Sequence, residues 1–420
     1  MERLIKDSGI PYIGKVPENW KIVRNKNAFS LGKEIVGDAW ERTQLLSLTT
    51  KGIKCAKIGN TSGKVPDSYA TYQKVVPNNL VMCLFDLDVS AVFSGLSNVA
   101  GMISPAYKVL SIHEDYYAPF CQYWFSYIFD GRKFKFMAKN IRYSLTYDEF
   151  AALAIVAPIY SEQKKIADFL DRKCREVDEL IALEEKMIEE LKAYKQSVIT
   201  ETVTKGLNPD VPMKDSGIPY IGTIPKNWKI IRNKNVFSLG KEIVGDAWKT
   251  TQLLSLTTKG VKCIRMGGTS GKVPDSYATY QKVVPNNLVM CLFDLDVSAV
   301  FSGLSDIAGM ISPAYKVLSI HENYFAPFYQ YWFNYIFYGR KFKFLAKNIR
   351  YSLTYDEFAA LAIIAPPYAE QRKIADFLDL KCKEVDDLIS IKQSKIAELQ
   401  DYKKSIIYEY ATGKKDVPTL

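Results

Sequence analysis

The sequence predicts an α+β protein built twice. It reads as two tandem globular domains, each followed by a long helix, with the two helices forming an antiparallel coiled coil. Three observations carry this. First, DSGIPYIG at Asp7–Gly14 returns at Asp215–Gly222, and the offset of 208 residues holds without a gap. Asp7–Asp171 and Asp215–Asp379 differ at only 24 of 165 positions, and a period this long marks a pair of domains, not a solenoid. Second, each globular stretch alternates short β-rich runs with turns. Third, each stretch ends in a tail without Gly or Pro whose apolar residues follow a heptad seam.

Composition sets the class. At 420 residues, 48% hydrophobic and 24% charged, the chain has the balance of a folded protein of two to four domains. No apolar run approaches the roughly 18 residues of a membrane span. MERLIKDSGIPY carries no apolar signal core, so the expected address is cytoplasmic, with no membrane partner. Seven cysteines, with no C-x-x-C pair, fit reduced thiols. Two histidines, His113 and His321, leave little room for a metal site or histidine catalysis. A net charge of +10 with 13% aromatics leans toward a nucleic-acid partner.

Within the first copy, Leu45–Thr50, Asn79–Phe85 and Met102–Leu110 read as strands, with turn-rich KGIKCAKIGNTSGKVPDS after the first. Tyr116–Phe129 has aromatic residues at helical spacing. Thr146 and Glu149 form a capping-box signature before Phe150, repeated at Thr354 and Glu357. Pro158 and Pro366 stop any regular element. In the tails, Cys174, Val177, Ile181, Ile188, Leu191 and Val198 form one seam, and Cys382, Val385, Ile389, Ile396, Leu399 and Ile406 the other.

The boundaries fall at 1–160 and 215–368 for the globules, 161–203 and 369–411 for the helices, 204–214 for the linker and 412–420 for the tail. A helix of roughly 40 residues is about 60 Å long, so the two helices are each other's obvious partner. A parallel pair would need the linker to span that length, whereas 11 residues reach at most about 40 Å. Glu184 and Lys392 interrupt the seams near their middles, and antiparallel pairing is expected to bring these opposite charges close.

Two motifs recur at the domain edges. Gly14, Pro17 and Trp20 open the first globule, and Gly222, Pro225 and Trp228 the second. The globules end in AIVAPIYSEQKKIADFLD and AIIAPPYAEQRKIADFLD. With the tandem globule-helix arrangement, these motifs make the whole chain resemble the specificity (S) subunit of type I restriction-modification systems. The resemblance implies that each globule is a target recognition domain for double-stranded DNA. It implies a non-catalytic subunit that holds no cofactor and directs two methyltransferase (M) subunits and nuclease/translocase (R) subunits. S-adenosylmethionine, ATP and Mg belong to those partners.

Two basic clusters are the candidate DNA contacts. The denser one holds Arg132, Lys133, Lys135, Lys139, Asn140, Arg142, Tyr143 and Ser144, matched by Arg340, Lys341, Lys343, Lys347, Asn348, Arg350, Tyr351 and Ser352. Cations suit phosphate, and Asn140, Arg142 and Ser144 can donate to base edges. The alternative is an amphipathic helix end with Phe134 and Phe136 in the core and the lysines merely solvated. The second cluster is Lys51, Lys54, Lys57, Asn60 and Lys64, matched by Lys259, Lys262, Arg265 and Lys272; the alternative is an ordinary hydrophilic hairpin.

Catalysis finds no footing. Pro66-Asp67 and Glu162-x-Lys164 mimic a nuclease pattern, but Lys164 becomes Arg372 in the second copy, and Glu162 suits a helix start. No motif that grips a flipped adenine is present. The competing reading is a coiled-coil RNA-binding or protein-interaction protein without a restriction partner.

Two near-identical readers related by an antiparallel helix pair should meet an inverted repeat. With readers about 10 base pairs apart, half-sites of roughly 3–4 pairs leave a gap of about 6–7. Asymmetry should trace to Ile53–Asn60, where Lys57 faces Arg265, and to Asp130 opposite Tyr338.

Overall fold

The structure is a computed structural model and describes residues 4–59, 66–138, 142–267, 274–345 and 350–418. It divides into two compact units, one of Met1–Glu185 with Gln393–Leu420 and one of Lys186–Lys392. The long helices, α3 (Tyr160–Lys205) and α6 (Tyr368–Ala411), each give one half to each unit.

Unit 1 is organised on a four-stranded antiparallel sheet in the order Phe29–Leu31, Lys108–Ile112, Leu80–Met82, Ser94–Leu96. Side chains alternate across it. Leu80 and Met82 join a core with Phe29, Phe93, Phe125 and Phe150. Val81 and Cys83 face a smaller core with Leu46, Leu48, Ile53 and Val75. That second core lies beneath the hairpin Leu46–Thr49/Gly52–Cys55 and the pair Gln73–Val75/Gly101–Ile103.

The sequence's single apolar run Met102–Leu110 is two strands, Gly101–Ile103 and Lys108–Ile112. Between them Pro105 has no N–H to give a ladder, and Tyr107 N closes a turn on Ser104 O at 3.2 Å. The aromatic segment forms α1 (Ala118–Asp130), with proline in its first turn, where a missing N–H costs nothing. Thr146 and Glu149 cap α2 (Tyr147–Ala152) reciprocally.

The Glu-Gln pair at the start of α3 has a structural role. Glu162 Oε1 accepts from Trp20 Nε1 at 3.0 Å. Gln163, 1% exposed, accepts from Tyr117 N at 2.8 Å and donates to Pro158 O at 2.8 Å. This ties the helix start to α1 and accounts for Glu162 without a nuclease centre.

The end of α6 completes the unit 1 core through Ile406, Ile407 and Ala411, and Tyr410 packs on Phe169 with centroids 4.5 Å apart. Asp178 pairs with Lys403 and Glu184 with Lys395, both at 2.7 Å. Partner numbers fall along α6 as they rise along α3, so the helices run antiparallel. Glu184 is 5% exposed and its carboxylate pairs with Lys395 at this 2.7 Å distance.

Unit 2 repeats the plan, with α4 (Ala326–Tyr338) and α5 (Tyr355–Ala360) as the counterparts of α1 and α2. Ile199 and Val203 of α3 complete its core around Trp228. Lys195 pairs with Asp386 at 2.7 Å, and Lys392 Nζ lies 3.0 Å from Met187 Sδ, again antiparallel. Within each unit the helix pair leaves Ile181, Leu191, Ile389, Ile396 and Leu399 of the seams only half-buried.

Candidate nucleic-acid interface

The denser basic cluster is not a helix end. After α1 the chain turns at Gly131 and at Arg132, which is left-handed (φ 49°), into a short 3-10 helix, Lys133–Phe136. Phe134 is buried as expected, but Phe136 is 64% exposed, because the tighter helix turns it away from the core. Arg132 lies over the Phe134 ring at 5.4 Å, and Tyr143 meets the same ring edge-on at 5.8 Å. Tyr143 is itself left-handed (φ 50°), a conformation an aromatic residue adopts only under restraint. Ser144 Oγ accepts from Asp86 N at 2.8 Å, and Arg142 Nη1 stands 3.8 Å from Asp86 Oδ1. Arg142 and Ser144 therefore stand against the turn that leaves strand Leu80–Met82, while Arg132 and Tyr143 meet on the Phe134 ring.

That turn is a functional candidate the sequence reading missed. Asp86 is left-handed (φ 49°), and its carbonyl accepts from Val89 N at 3.1 Å and Ser90 N at 2.9 Å. Leu87 is 1% exposed and anchors the turn, whereas Val89 is 80% exposed at its tip. Phe85, partly exposed, packs on Tyr107 with centroids 5.9 Å apart. The available signal was an Asp, tolerant of left-handed backbone, inside a β-rich run. The run was repeated in both copies like most of its surroundings, so nothing singled it out.

Unit 2 reproduces the surface. Arg340 (φ 50°), Tyr351 (φ 48°) and Asp294 (φ 50°) are left-handed. Arg350 stands 3.9 Å from Asp294, and Ser352 Oγ accepts from Asp294 N at 2.8 Å. Three restrained non-glycine residues recurring in each copy mark a surface whose shape is held against a conformational cost.

Other predicted residues lie elsewhere. Lys133 and Lys341 are half-buried. Lys341 Nζ packs 5.9 Å over Tyr335. Lys133, with Lys15, acts on Lys414, whose ammonium is held below its ordinary range first by burial and then by these like charges. Lys135 and Lys343 are exposed. The hairpin separates its lysines. Lys51 and Lys259 sit at the turns, Lys54 and Lys262 are exposed on the strands, and Lys57 and Arg265 lie beyond the opposite ends. The turn at Thr49–Gly52 borders a cleft of about 460 Å³ closed by Lys403 and Ile407 of α6; its unit 2 counterpart is about 930 Å³. Thr50 and Gly52, on either side of Lys51, line the first of these clefts. Asn60, Lys64, Lys139, Asn140, Lys272, Lys347 and Asn348 lie outside the described residues.

Among the described residues, no group of His, Cys, Asp and Glu is placed to hold a metal ion, and no helix is long and apolar enough to cross a membrane. His113 bridges Ser30 Oγ at 2.7 Å and Asn27 O at 3.0 Å, a structural role.

No protein-family model and no curated protein sequence matches the chain. Among solved structures, a chain from work on complex assembly and conformational transition of the type I R-M system aligns with a TM-score of 0.67 at 13% identity, over 95% of this chain and 99% of that one. The HsdS subunit from Thermoanaerobacter tengcongensis aligns at 13% identity over 95% and 98%, with a TM-score of 0.49. The type I restriction-modification S subunit from M. genitalium aligns at 12% identity over 100% of both chains, with a TM-score of 0.34. With two sheet-rich units and a long helix after each, this chain shares its fold with the first of these, the chain of the type I R-M system.

Proposed function

We propose that this chain is the DNA sequence-recognition subunit of a type I restriction-modification complex. It binds a bipartite, near-palindromic target and positions methyltransferase and nuclease/translocase subunits. The observation that carries the reading is the restrained surface present in both units, where Arg142 in one and Arg350 in the other stand against a rigid turn, with Arg132 and Arg340 on the ring that the adjoining Tyr143 and Tyr351 also meet. Cations hold phosphate, and a preorganised turn can enter a groove. The antiparallel order of the long helices, found separately in each unit, supports inverted rather than direct half-sites.

The helices support the partner assignment. Leu180 and Leu183 in unit 1 are 46% and 47% exposed, and Leu380 and Ile391 in unit 2 are 58% and 63% exposed. Apolar faces left over after one helix pairing suit further helices, here those of two methyltransferase subunits. Methyl transfer from S-adenosylmethionine and ATP-driven cleavage with Mg belong to partner subunits, in the cytoplasm, and this chain is not an enzyme. Co-expression with the cognate methyltransferase subunit tests this. The reading expects a complex with two such subunits that shifts duplex DNA in a salt-dependent way. Binding of single-stranded RNA alone, with no methyltransferase association, would support the RNA-binding alternative instead.

A further inference from the structure

Resting on the proposed DNA-recognition role, we infer that the Asp88-Val89 tip, and Asp296-Val297 in unit 2, reads base edges in the major groove, while the surrounding cations only hold the backbone. The tip is apolar and acidic where its surroundings are basic. Val89 and Val297 are 80% and 78% exposed. Asp88 and Asp296 are exposed beside them. Asp86, two residues earlier, faces Arg142 at 3.8 Å; Asp88 has no such cation beside it among the described residues.

A carboxylate at the apex of a phosphate-binding surface is repelled wherever it lies along the backbone. It is favourable where a base offers a donor; in the major groove the donors are the exocyclic amino groups of cytosine and adenine, and the usual partner of Asp and Glu is cytosine, whose amino group has no neighbouring N7 acceptor to repel the carboxylate. The neighbouring valine supplies the apolar contact that a pyrimidine C5-methyl takes. Rigidity suits this use. Leu87 is buried beneath the tip, the Asp86 carbonyl holds Val89 N and Ser90 N, and Ser90 Oγ donates to Val92 O at 2.7 Å. The tip therefore enters a groove with little ordering cost.

Because the tip is identical in both units, it specifies the same base at the equivalent place in both half-sites. Differences between the half-sites fall to the hairpin ends, where Lys57 of one unit is Arg265 in the other.

The test is selection of bound sequences from a randomised duplex by the full chain with its methyltransferase subunits. Wild type, Asp88→Ala, Asp296→Ala and the double variant are compared. Asp88→Ala should relax one position of one half-site by about tenfold or more, Asp296→Ala should relax its symmetry mate, and the double variant both. Affinity for random-sequence duplex should hold or rise in every variant, because an acid has been removed from a polyanion-binding surface. Unchanged base preference in the double variant would overturn the inference, as would loss of preference at all positions together. If wild type selects no duplex at all, the proposed function fails instead.

Discussion

The two units share the tip surface residue for residue and differ where the long helices meet them. In unit 1, Trp20 Nε1 donates to Glu162; in unit 2, Trp228 Nε1 is buried without a partner among the described residues. In unit 1, buried Glu184 takes Lys395; the equivalent positions in unit 2 are Lys392 and Met187, which meet as an ammonium against a thioether. In unit 1, Asp130 borders the cleft beneath α6, its carboxyl pushed up by burial and partly held down by Lys404 and Lys403. In unit 2 that position is Tyr338, with Lys195 and Gln196 across the cleft. Charge on the globule and charge on the helix end have changed together. The lesson is that duplication preserved the surface and let the helix contacts diverge, so each unit has its own matched helix end.

The largest way to break this comparison is at its shared anchor. Trp20 and Trp228 are 1% and 0% exposed, and truncating a buried Trp costs about 3–5 kcal/mol. Trp20→Ala should lower the melting of unit 1 and Trp228→Ala that of unit 2, and calorimetry of the full chain reads which transition moves. Identical single transitions in both variants would show that the units do not melt separately.

Next is Lys395→Met, which installs the unit 2 residue in unit 1. It strips Glu184 of a 2.7 Å ion-pair partner. An almost fully buried carboxylate losing a partner costs about 1–3 kcal/mol, measurable by urea denaturation. A neutral outcome would show that Glu184's other contacts suffice.

A smaller effect separates the tryptophans. Trp20→Phe loses the Glu162 hydrogen bond, whereas Trp228→Phe relieves an unsatisfied indole. The first should cost about 1 kcal/mol more than the second, and equal costs would remove this distinction.

The smallest is a pH effect. A carboxyl whose folded-state pKa is raised destabilises the fold once ionised, so Asp130 should favour unit 1 at acid pH and disfavour it as pH rises through the raised value. Asp130→Asn should flatten that dependence for unit 1 alone. A steeper dependence in the variant would mean that Lys403 and Lys404 outweigh burial.

Much of the fold was legible because its signals are local. The capping boxes, the proline stops and the helices free of Gly and Pro each depend on neighbours in sequence. The repeat then doubled every observation. The Glu184–Lys395 ion pair was not legible, since a heptad seam fixes which face pairs but not which charged side chains meet across it. Phe136 was misplaced because a 3-10 helix and an α-helix aim the same residue differently. The candidate site was half legible. Arg132 and Arg142 stand out by charge, but the tip at Val89 depends on left-handed Asp86 and Tyr143, and neither is a glycine that would announce a turn.

The most direct test of the central claim is a methylation map of the host genome with and without this gene. The account predicts a bipartite motif that disappears on deletion, its halves inverted and nearly identical around an unread gap of about 6–7 base pairs. Any asymmetry should follow Arg265 against Lys57, so Arg265→Lys should bring the halves closer together. A motif with unrelated halves, halves repeated in the same direction, or no motif dependent on the gene would contradict it.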